Sequence, residues 1–372
     1  MSNTGNSAGS EFSVKSLQLT LKDKLRRSGK TFALKVMSKS GLADLVGRTY
    51  GGNGVILMFH EFTRDPKSKL GQGTRIDDFE AVLKMLRQSG RDIVGLSEAV
   101  RRLEDPKSRP FVVLSYDDGY RSNIELALPV MERYEAPAII YVPTEVLTRT
   151  INAWWLGLRE IVTRNDQVVV EPMNSRFECS EYSAKVATLR RLIAWVWEDF
   201  GRADGLQQVF KDNGLSMADL IEELFVSEAE MVEADRHPLV EIGAHTTTHR
   251  ALRLLSAPEV SKDIGDNKTY LEGALGRNVP HFAYPYGRPS LTETREAAIV
   301  RSLGFETAVT TDPGCLFPQH AGNRFLLPRQ DAEFPTDGFS HAVCGVNGVY
   351  RALASRGKSP IANTEFEQLA SQ

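Results

Sequence analysis

The chain has 372 residues, enough for one large domain or two smaller ones. Its composition, with 41% hydrophobic and 25% charged residues, is ordinary for a globular protein. A net charge of −3 gives no global basic field of the kind that nucleic-acid-binding proteins use, so we expect no nucleic-acid partner. The three cysteines, Cys179, Cys315 and Cys344, are too widely spaced for a disulfide framework or a paired-cysteine metal motif.

The N-terminal region is predicted to lie outside the main domain. Residues 1–12 are rich in Ser, Gly and Asn and predict a flexible tail. Residues 13–50 have hydrophobic positions at helical spacing, and residues 13–48 hold nine Lys or Arg against two Asp. This pattern indicates a basic helical arm packed on the main domain. The alternative is an amphipathic arm that lies on an anionic membrane surface.

The same region bears on the expected location of the protein. We find no secretory-signal pattern and no apolar run near the roughly 20 residues that cross a bilayer. We therefore expect a cytoplasmic protein, with association at the inner face of the membrane as the alternative.

From Val55 onward, short β-rich runs alternate with helical patterns. The predicted strands cover residues 55–59, 92–94, 111–115, 138–142, 240–243, 282–284, 307–310 and 325–327. Helices are predicted to begin at Asp77 or Asp78, at the capping box that starts at Ser256, and at Ser290 or Thr292. The alternation indicates right-handed βαβ crossovers and a largely parallel α/β sheet over residues 51–345, followed by a C-terminal helix and tail over 346–372.

Residues 151–236 interrupt this alternation. They are mostly helical in pattern and contain four tryptophans, Trp154, Trp155, Trp195 and Trp197. We interpret the segment as a helical insertion whose tryptophans are packing residues, with a sugar-stacking platform as the alternative.

The first chemically informative segment is Asp117-Asp118-Gly119, which directly follows the predicted strand 111–115. Adjacent strand residues point to opposite sides, so the two carboxylates face the same site only if the backbone turns, and Gly119 permits a turn. Barrel enzymes place catalytic groups at the carboxyl ends of their strands. Alone, the segment could equally be a solvated turn.

The second segment is His245-Thr-Thr-Thr-His249, which follows the predicted strand 240–243. Two histidines four residues apart share one face of a helical turn and suit a metal pair. With one of the two aspartates they would form a facial triad with open coordination positions, which is typical of a catalytic metal. The other carboxylate would remain as a base, an arrangement that favours metal-assisted hydrolysis.

The third segment is His281-Phe-Ala-Tyr-Pro-Tyr-Gly287, at another strand end. Its aromatic residues beside Pro and Gly could form a rigid wall for a sugar ring. A strand-terminating turn is the alternative.

In this order, the three segments resemble the motifs of the polysaccharide deacetylase (NodB-homology, carbohydrate esterase family 4-like) family, in its exopolysaccharide-type branch. Ser115-Tyr-Asp-Asp-Gly119 resembles the family's Thr-Phe-Asp-Asp-Gly, the two-histidine segment its His-Ser/Thr-x-x-His, and Phe282–Gly287 its Phe-Arg-x-Pro-Tyr-Gly. The resemblance covers about Val55 to Arg329. It implies a distorted β/α barrel of seven or eight strands, here with the helical insertion and the N-terminal arm.

The resemblance also implies roles for individual residues. Asp117 would be the general base, and Asp118, His245 and His249 would bind a divalent metal, usually Zn²⁺ with Co²⁺ or Ni²⁺ as alternatives. Tyr286, with Pro285 and Tyr284, would form the oxyanion and substrate wall. The implied substrate is an acetylated glycan of the N-acetylglucosamine type, either an oligo- or polysaccharide or a lipid-linked precursor.

Two departures from the family pattern leave alternatives open. The arginine that steers the catalytic aspartate in the family aligns with Ala283, so Arg288 or Arg329 would have to replace it. The late histidine that acts as general acid is missing, and the candidates are His60, His281 and His320, with His60 best placed at the end of strand 55–59. We therefore keep hydrolysis of an O-acetyl ester or another amide, and a non-catalytic glycan-binding relative, as alternative functions.

Overall fold

A computed structural model of the chain describes residues 13–16, 21–105, 107–288, 290–292, 294–333 and 338–362. The predicted tail at residues 1–12 and the last part of the C-terminal segment, 363–372, lie outside the described residues. The chain divides into two compact units. The smaller comprises residues 152–220 with 68–70 and the described part of 1–25, and the larger comprises the rest.

The strands are β1 (Ser13–Ser16), β2 (Gly54–Phe59), β3 (Phe62–Thr63), β4 (Thr74–Arg75), β5 (Asp92–Ile93), β6 (Phe111–Tyr116), β7 (Ala138–Val142), β8 (Gln167–Val170), β9 (Ser175–Glu178), β10 (Val240–Ala244), β11 (His281–Ala283), β12 (Thr307–Pro313) and β13 (Leu327–Asp331).

The α-helices are α1 (Leu21–Lys39), α2 (Leu42–Tyr50), α3 (Ile76–Gln88), α4 (Leu96–Glu104), α5 (Leu128–Arg133), α6 (Thr144–Leu147), α7 (Trp154–Arg164), α8 (Tyr182–Glu198), α9 (Leu206–Asp212), α10 (Met217–Leu224), α11 (Glu228–Asp235), α12 (Ala257–Leu275), α13 (Thr294–Ser302), α14 (Gly338–Val346) and α15 (Val349–Ala354).

In the larger unit, a parallel sheet closes on itself into a seven-stranded barrel. The order is β2, β13, β12, β11, β10, β7 and β6, and β6 pairs again with β2. Every residue of β2, β6 and β7 is buried, as expected for strands that have a filled interior on one side and helices on the other. The predicted β/α barrel is confirmed. The short β5 pairs only with the first two residues of β6 and does not belong to the closed ring.

The interior of the barrel is filled by branched and aromatic side chains from alternate strand positions. The core cluster includes Ile56, Val113, Tyr141, Ala283 and Leu327. Residues two apart on a strand share a face, so each strand places its next interior side chain nearer its carboxyl end. The polar groups at the carboxyl ends of the strands therefore lie above an apolar layer of the barrel interior.

Helix starts were predicted with mixed success. The capping box at Ser256 and Glu259 is present at the start of α12, as predicted. The prediction that Asp77 or Asp78 caps α3 is wrong, because the helix already begins at Ile76 with Arg75 at the cap position. Both aspartates lie in its first turn, where a negative charge is favourable next to the free N–H groups.

The N-terminal arm is not helical from its start. Ser13–Ser16 forms β1 and pairs in parallel with β9, so its backbone groups are bonded within a small sheet rather than within a helix. Helix begins at Leu21, in α1. Along α1 and α2, Leu34 and Ala43 pack on Cys344 and Val349. No helix in the described part of the chain combines the length and the hydropathy needed to cross a membrane.

The smaller unit contains a hairpin that the helical interpretation missed. β8 and β9 pair antiparallel across a turn in which Asn174 adopts a left-handed φ of 43°. Around it lie α7, α8 and α9. The tryptophans of this unit pack on neighbouring rings, Trp154 on Trp155 and Trp197 on Phe200, both edge to face.

Candidate active site

The predicted site residues come from five strands of the barrel and lie at or beyond the carboxyl ends of these strands. Asp117 and Asp118 directly follow β6, His245 directly follows β10, and Tyr286 comes shortly after β11. His60 directly follows β2, and Arg329 lies within β13. Parallel strands in a closed barrel bring these ends to one face, which explains why residues so far apart in sequence meet.

Asp118, His245 and His249 converge on one point. His245 Nε2 and His249 Nε2 lie 3.4 and 3.1 Å from Asp118 Oδ1, and one ligand atom from each of the three residues lies within 4.8 Å of the others. Two ligand atoms at about 2.1 Å from an ion and at a tetrahedral angle would be about 3.4 Å apart. The spacing therefore fits a single divalent cation, and two imidazoles with one carboxylate are a donor set that such cations accept.

Hydrogen bonds fix His245 in the orientation that a ligand needs. Its Nδ1 lies 2.7 Å from the carbonyl oxygen of Ala283, which leaves Nε2 to face Asp118. Its backbone N–H donates to Asn267 Oδ1 at 2.9 Å, and Asn267 Nδ2 donates to Val142 O and Thr144 Oγ1. The buried side chain of Asn267 therefore links β7, β10 and α12 behind His245.

The backbone at the site adopts conformations that L-residues rarely take. Asp118 (φ 71°), Thr246 (φ 66°), His249 (φ 53°) and Tyr286 (φ 61°) all have left-handed φ values. Each such residue costs of order 1–3 kcal/mol and persists only where its surroundings hold it. Four of them lie around one cluster, and such strained residues are concentrated at functional sites.

Asp117 is held by a buried arginine. Both of its oxygens accept from Arg329, from Nη1 and Nη2 at 2.7 Å each, and Arg329 is fully buried. Arg329 Nε also donates to Thr310 O, which fixes the plane of the guanidinium. Burial alone would raise the pKa of Asp117, but the charge and hydrogen bonds of Arg329, together with the charges of His245 and His60, outweigh it and hold that pKa below its usual value. The sequence left Arg288 and Arg329 as candidates to orient Asp117. Arg329 forms these hydrogen bonds, whereas Arg288 is exposed.

His60 lies beside Asp117 and has a partner that the sequence analysis missed. Its Nε2 is 3.9 Å from Asp117 Oδ2, and its Nδ1 is 3.4 Å from Glu333 Oε1. The same Glu333 oxygen accepts the backbone N–H of His60 at 2.7 Å. Burial favours the neutral ring, but the charge and hydrogen bond of Glu333, then the charges of Asp118 and Asp117, outweigh it and raise the pKa of His60 to about 10.

Of the two tyrosines that the third segment, residues 281–287, was predicted to place at the site, only Tyr286 lies there. Tyr286 is half-buried, and its ring centroid lies 5.1 Å from that of His249. The carbonyl of Tyr286 accepts from Thr311 Oγ1 at 2.8 Å, which anchors this turn to β12, and Pro285 is buried beneath it. The placement of Tyr284 in the substrate wall is wrong: it is 1% exposed, and its hydroxyl donates to Phe325 O.

The other two candidate histidines are not at the site. His281 begins β11, at the opposite end of the barrel, where its ring nitrogens contact Ser97 Oγ and Thr307 Oγ1 at 2.8 Å. Its neighbour two residues on, Ala283, is in the interior core, so His281 faces inward at the floor of the barrel. His320 is buried against Phe317 N and Ala362 O. Neither can act as the acid.

Comparisons with known proteins find a family match over part of the chain. A family model described as polysaccharide deacetylase matches residues 214–308. The Bacillus subtilis protein YxkH, whose name places it among the polysaccharide deacetylases, is 22% identical over 263 residues, 70% of this chain and 64% of that protein. The chain thus spans less than two thirds of the length of that relative.

Two solved structures share the fold. The Streptococcus pyogenes deacetylase PplD, in complex with acetate, is 17% identical with a TM-score of 0.52 over 80% of this chain and 96% of its own. IcaB from Ammonifex degensii is 18% identical with a TM-score of 0.52 over 81% of this chain and 99% of its own. At these sequence identities, the similarity to the two structures shows a shared fold and nothing further.

Proposed function

The chain belongs to the polysaccharide deacetylase family, and from that premise we propose that it is a metal-dependent hydrolase that removes N-acetyl groups from an N-acetylglucosamine-type glycan. The observation that supports this most directly is the buried triad of Asp118, His245 and His249 next to a second carboxylate, Asp117, that Arg329 holds. Binding of one ion and transfer of one proton would thereby be divided between neighbouring side chains.

Asp118, His245 and His249 would hold the ion, which we propose to be Zn²⁺, with Co²⁺ and Ni²⁺ as alternatives. When bound, a divalent cation lowers the pKa of a coordinated water and polarises a carbonyl oxygen. Burial would raise the pKa of Asp118, but His249 and His245 oppose it and hold that pKa well below its usual value. The ligand carboxylate is therefore ionised and ready to bind a cation.

Asp117 would take a proton from the attacking water. Because both of its oxygens are engaged by Arg329, each has its remaining lone pair aimed away from the guanidinium. The fixed carboxylate loses little entropy when it accepts the proton, which is the benefit of a positioned base.

His60 would give a proton to the leaving amine nitrogen. The ring is 31% exposed on its side chain, so it is accessible from the site face, and Glu333 favours its protonated form. An amine is a poor leaving group unless it is protonated, whereas an alcohol leaves more easily. A cationic imidazole 3.9 Å from the base therefore favours amide over O-acetyl ester hydrolysis. Tyr286 would contact the sugar ring with its aromatic face.

The direct test measures metal content and acetate release on the same preparations. Purified protein with Zn²⁺, Co²⁺ or Ni²⁺ is expected to release acetate from chitooligosaccharides or from an acetylated exopolysaccharide. Asp117→Asn should lower the rate about 10²–10⁴-fold while retaining the metal. His249→Ala should lose both metal and activity. His237→Ala is the matched control, since His237 pairs with Glu132 on the surface and should change neither.

Two results would contradict the proposal. Full activity in Asp117→Asn would remove the assigned base. Retention of a stoichiometric metal in His249→Ala would remove the assigned ligand set. Faster acetate release from O-acetylated than from N-acetylated glycans would favour the esterase alternative, and glycan binding without turnover on every substrate would favour a non-catalytic relative.

A further inference from the structure

We infer that the outward face of α1 and α2 is a docking surface for an anionic membrane. The inference rests on the exposed side chains of these two helices and does not depend on deacetylation. The occupant is a bilayer surface that carries negative headgroups, and residues 32–48 provide the contact. The segment Ser13–Ser16, which also lies in the predicted arm, pairs with β9 in the small sheet.

One side of α1 packs on the protein, and the opposite side carries exposed apolar residues. Leu34 is 3% exposed and belongs to a cluster with Ala43, Cys344 and Val349. On the opposite side, Phe32 is 70% exposed and Val36 is 43% exposed. These two residues are one helical turn apart, so their side chains lie next to each other on the surface.

The next helix also exposes large apolar residues. On α2, Leu42 is 47% exposed and Leu45 is 58% exposed, while Ala43 between them is buried. Single exposed apolar residues are ordinary, but four large ones on two consecutive helices need an explanation. The apolar side chains have the mixture of one aromatic and several aliphatic residues that inserts into the headgroup and acyl boundary.

Exposed cations are interleaved with these apolar residues. Lys35 and Lys39 fall on the same side of α1 as Phe32 and Val36, and Arg48 is exposed in the last turn of α2. The one acidic residue of the two helices within residues 32–48, Asp44, accepts a hydrogen bond from Asn347 Nδ2 at 3.2 Å. Positive charge complements a negative lipid surface, whereas a second copy of this chain would bring the same positive face and repel it.

A neighbouring helix extends the same chemistry. α15 packs against α2, and on it Leu353 is 66% exposed, followed by the exposed cations Arg356 and Lys358. Apolar residues flanked by cations on packed helices give a surface that combines insertion with electrostatic attraction, the two contributions that peripheral membrane binding requires.

The experiment is vesicle flotation of the full-length protein. Vesicles of phosphatidylcholine alone are compared with vesicles of phosphatidylcholine mixed with phosphatidylglycerol, at low and high salt. We expect binding to the anionic vesicles, weakened by salt because exposed charges are screened. Lys39→Glu with Arg48→Glu should reduce the partition coefficient at least about 25-fold, since each cation near an anionic surface contributes about fivefold. Phe32→Ser with Leu45→Ser should reduce it severalfold at both salt concentrations.

Matched controls use the same substitutions elsewhere on the surface. Lys84→Glu, on the exposed side of α3, and Leu254→Ser, at a residue that is 60% exposed, should bind as the wild type does. Equal partitioning of wild type and both double variants would overturn the inference, as would equal binding to neutral and anionic vesicles. Dimerisation of the wild type in solution with no vesicle binding would identify a second copy as the occupant instead. Acetate release from a soluble glycan should be unchanged in the variants, so failure here is distinguishable from failure of the proposed activity.

Discussion

The pairing of Arg329 with Asp117 allows a quantitative prediction. Arg329→Met keeps most of the aliphatic volume and removes the charge. Arg329 is 0% and the Asp117 side chain 4% exposed, and both hydrogen bonds are 2.7 Å long. Removal of one partner of a buried ion pair leaves the other charge uncompensated and typically costs about 3–5 kcal/mol. We expect a loss of that size in the free energy of unfolding, measured by urea denaturation.

A double-mutant cycle separates the pair from other effects of the substitution. Asp117→Asn alone leaves a buried guanidinium with a neutral partner, and Arg329→Met with Asp117→Asn removes both charges. If the pair exists as described, the double variant loses less stability than the sum of the single variants, by about 1.5–3 kcal/mol. Additivity within about 0.5 kcal/mol would refute the reasoning.

The matched control is a second arginine–aspartate pair in the same protein. Arg277 bonds Asp235 through two nitrogens, but the arginine side chain is 34% exposed. Because solvent screens this pair, Arg277→Met should cost only about 0.2–1 kcal/mol. If both substitutions lowered the free energy of unfolding equally, the loss would come from the deleted side chain rather than from the buried charge.

Three further predictions concern the floor of the barrel and the metal site. Burial lowers the pKa of His281 from 6.5 to about 3, so the unfolded chain binds a proton there that the folded chain does not, and stability falls as pH decreases below about 6.5. His281→Gln should reduce that slope by up to about 1.4 kcal/mol per pH unit in urea titrations, and an unchanged slope would contradict the assignment. Gly243→Ala would place a Cβ 2.6 Å from the ring of Tyr141 and should cost about 1–3 kcal/mol, whereas Gly273→Ala, with open space in α12, should be neutral or stabilising. Zn²⁺ at 100 times its dissociation constant should stabilise the wild type by about 2.7 kcal/mol but not His249→Ala, as thermal unfolding would show.

The sequence predicted the barrel and the meeting of the metal-ligand candidates because both depend on local patterns. The runs at 55–59, 111–115 and 138–142 lie within β2, β6 and β7, and their carboxyl ends must share one face of a closed sheet. Once the strands are located, the residues that follow them, such as Asp118 and His245, are placed without any knowledge of the packing.

Features that depend on strand register could not be read in the same way. The strand predicted at 325–327 is β13, Leu327–Asp331, shifted toward its carboxyl end. Leu327 faces the interior, so Arg329, two residues on, also faces inward and reaches Asp117. The same alternation explains the error at Tyr284. Ala283 is interior, and its neighbour Tyr284 therefore points outward, where its ring packs on Phe282 at 5.0 Å.

Glu333 had no signal in the sequence, because it meets His60 across 273 residues and outside any motif. A carboxylate shortly after a strand at the site face is the weak indication that could have suggested it. Glu333 raises the pKa of His60 and so favours a protonated imidazole beside Asp117. The resemblance to the family would instead place such a group in a late histidine motif, at the strand that ends at Asp331.

Asn267 is the other residue that local patterns did not reveal, and it provides the last prediction. It is fully buried on α12, accepts the backbone N–H of His245 and donates to Val142 O and Thr144 Oγ1. Asn267→Asp keeps the shape and the acceptor but removes both donors, so His245 should lose its fixed position. Groups behind metal ligands typically contribute about 10–100-fold in affinity, and we expect a loss of that size in Zn²⁺ competition with a chromogenic chelator. Asn278→Asp, at an exposed residue near the end of α12, is the control and should bind Zn²⁺ as the wild type does. If Asn267→Asp kept wild-type affinity while it lost stability, Asn267 would support the fold alone, and the orientation of His245 would rest on Ala283 O.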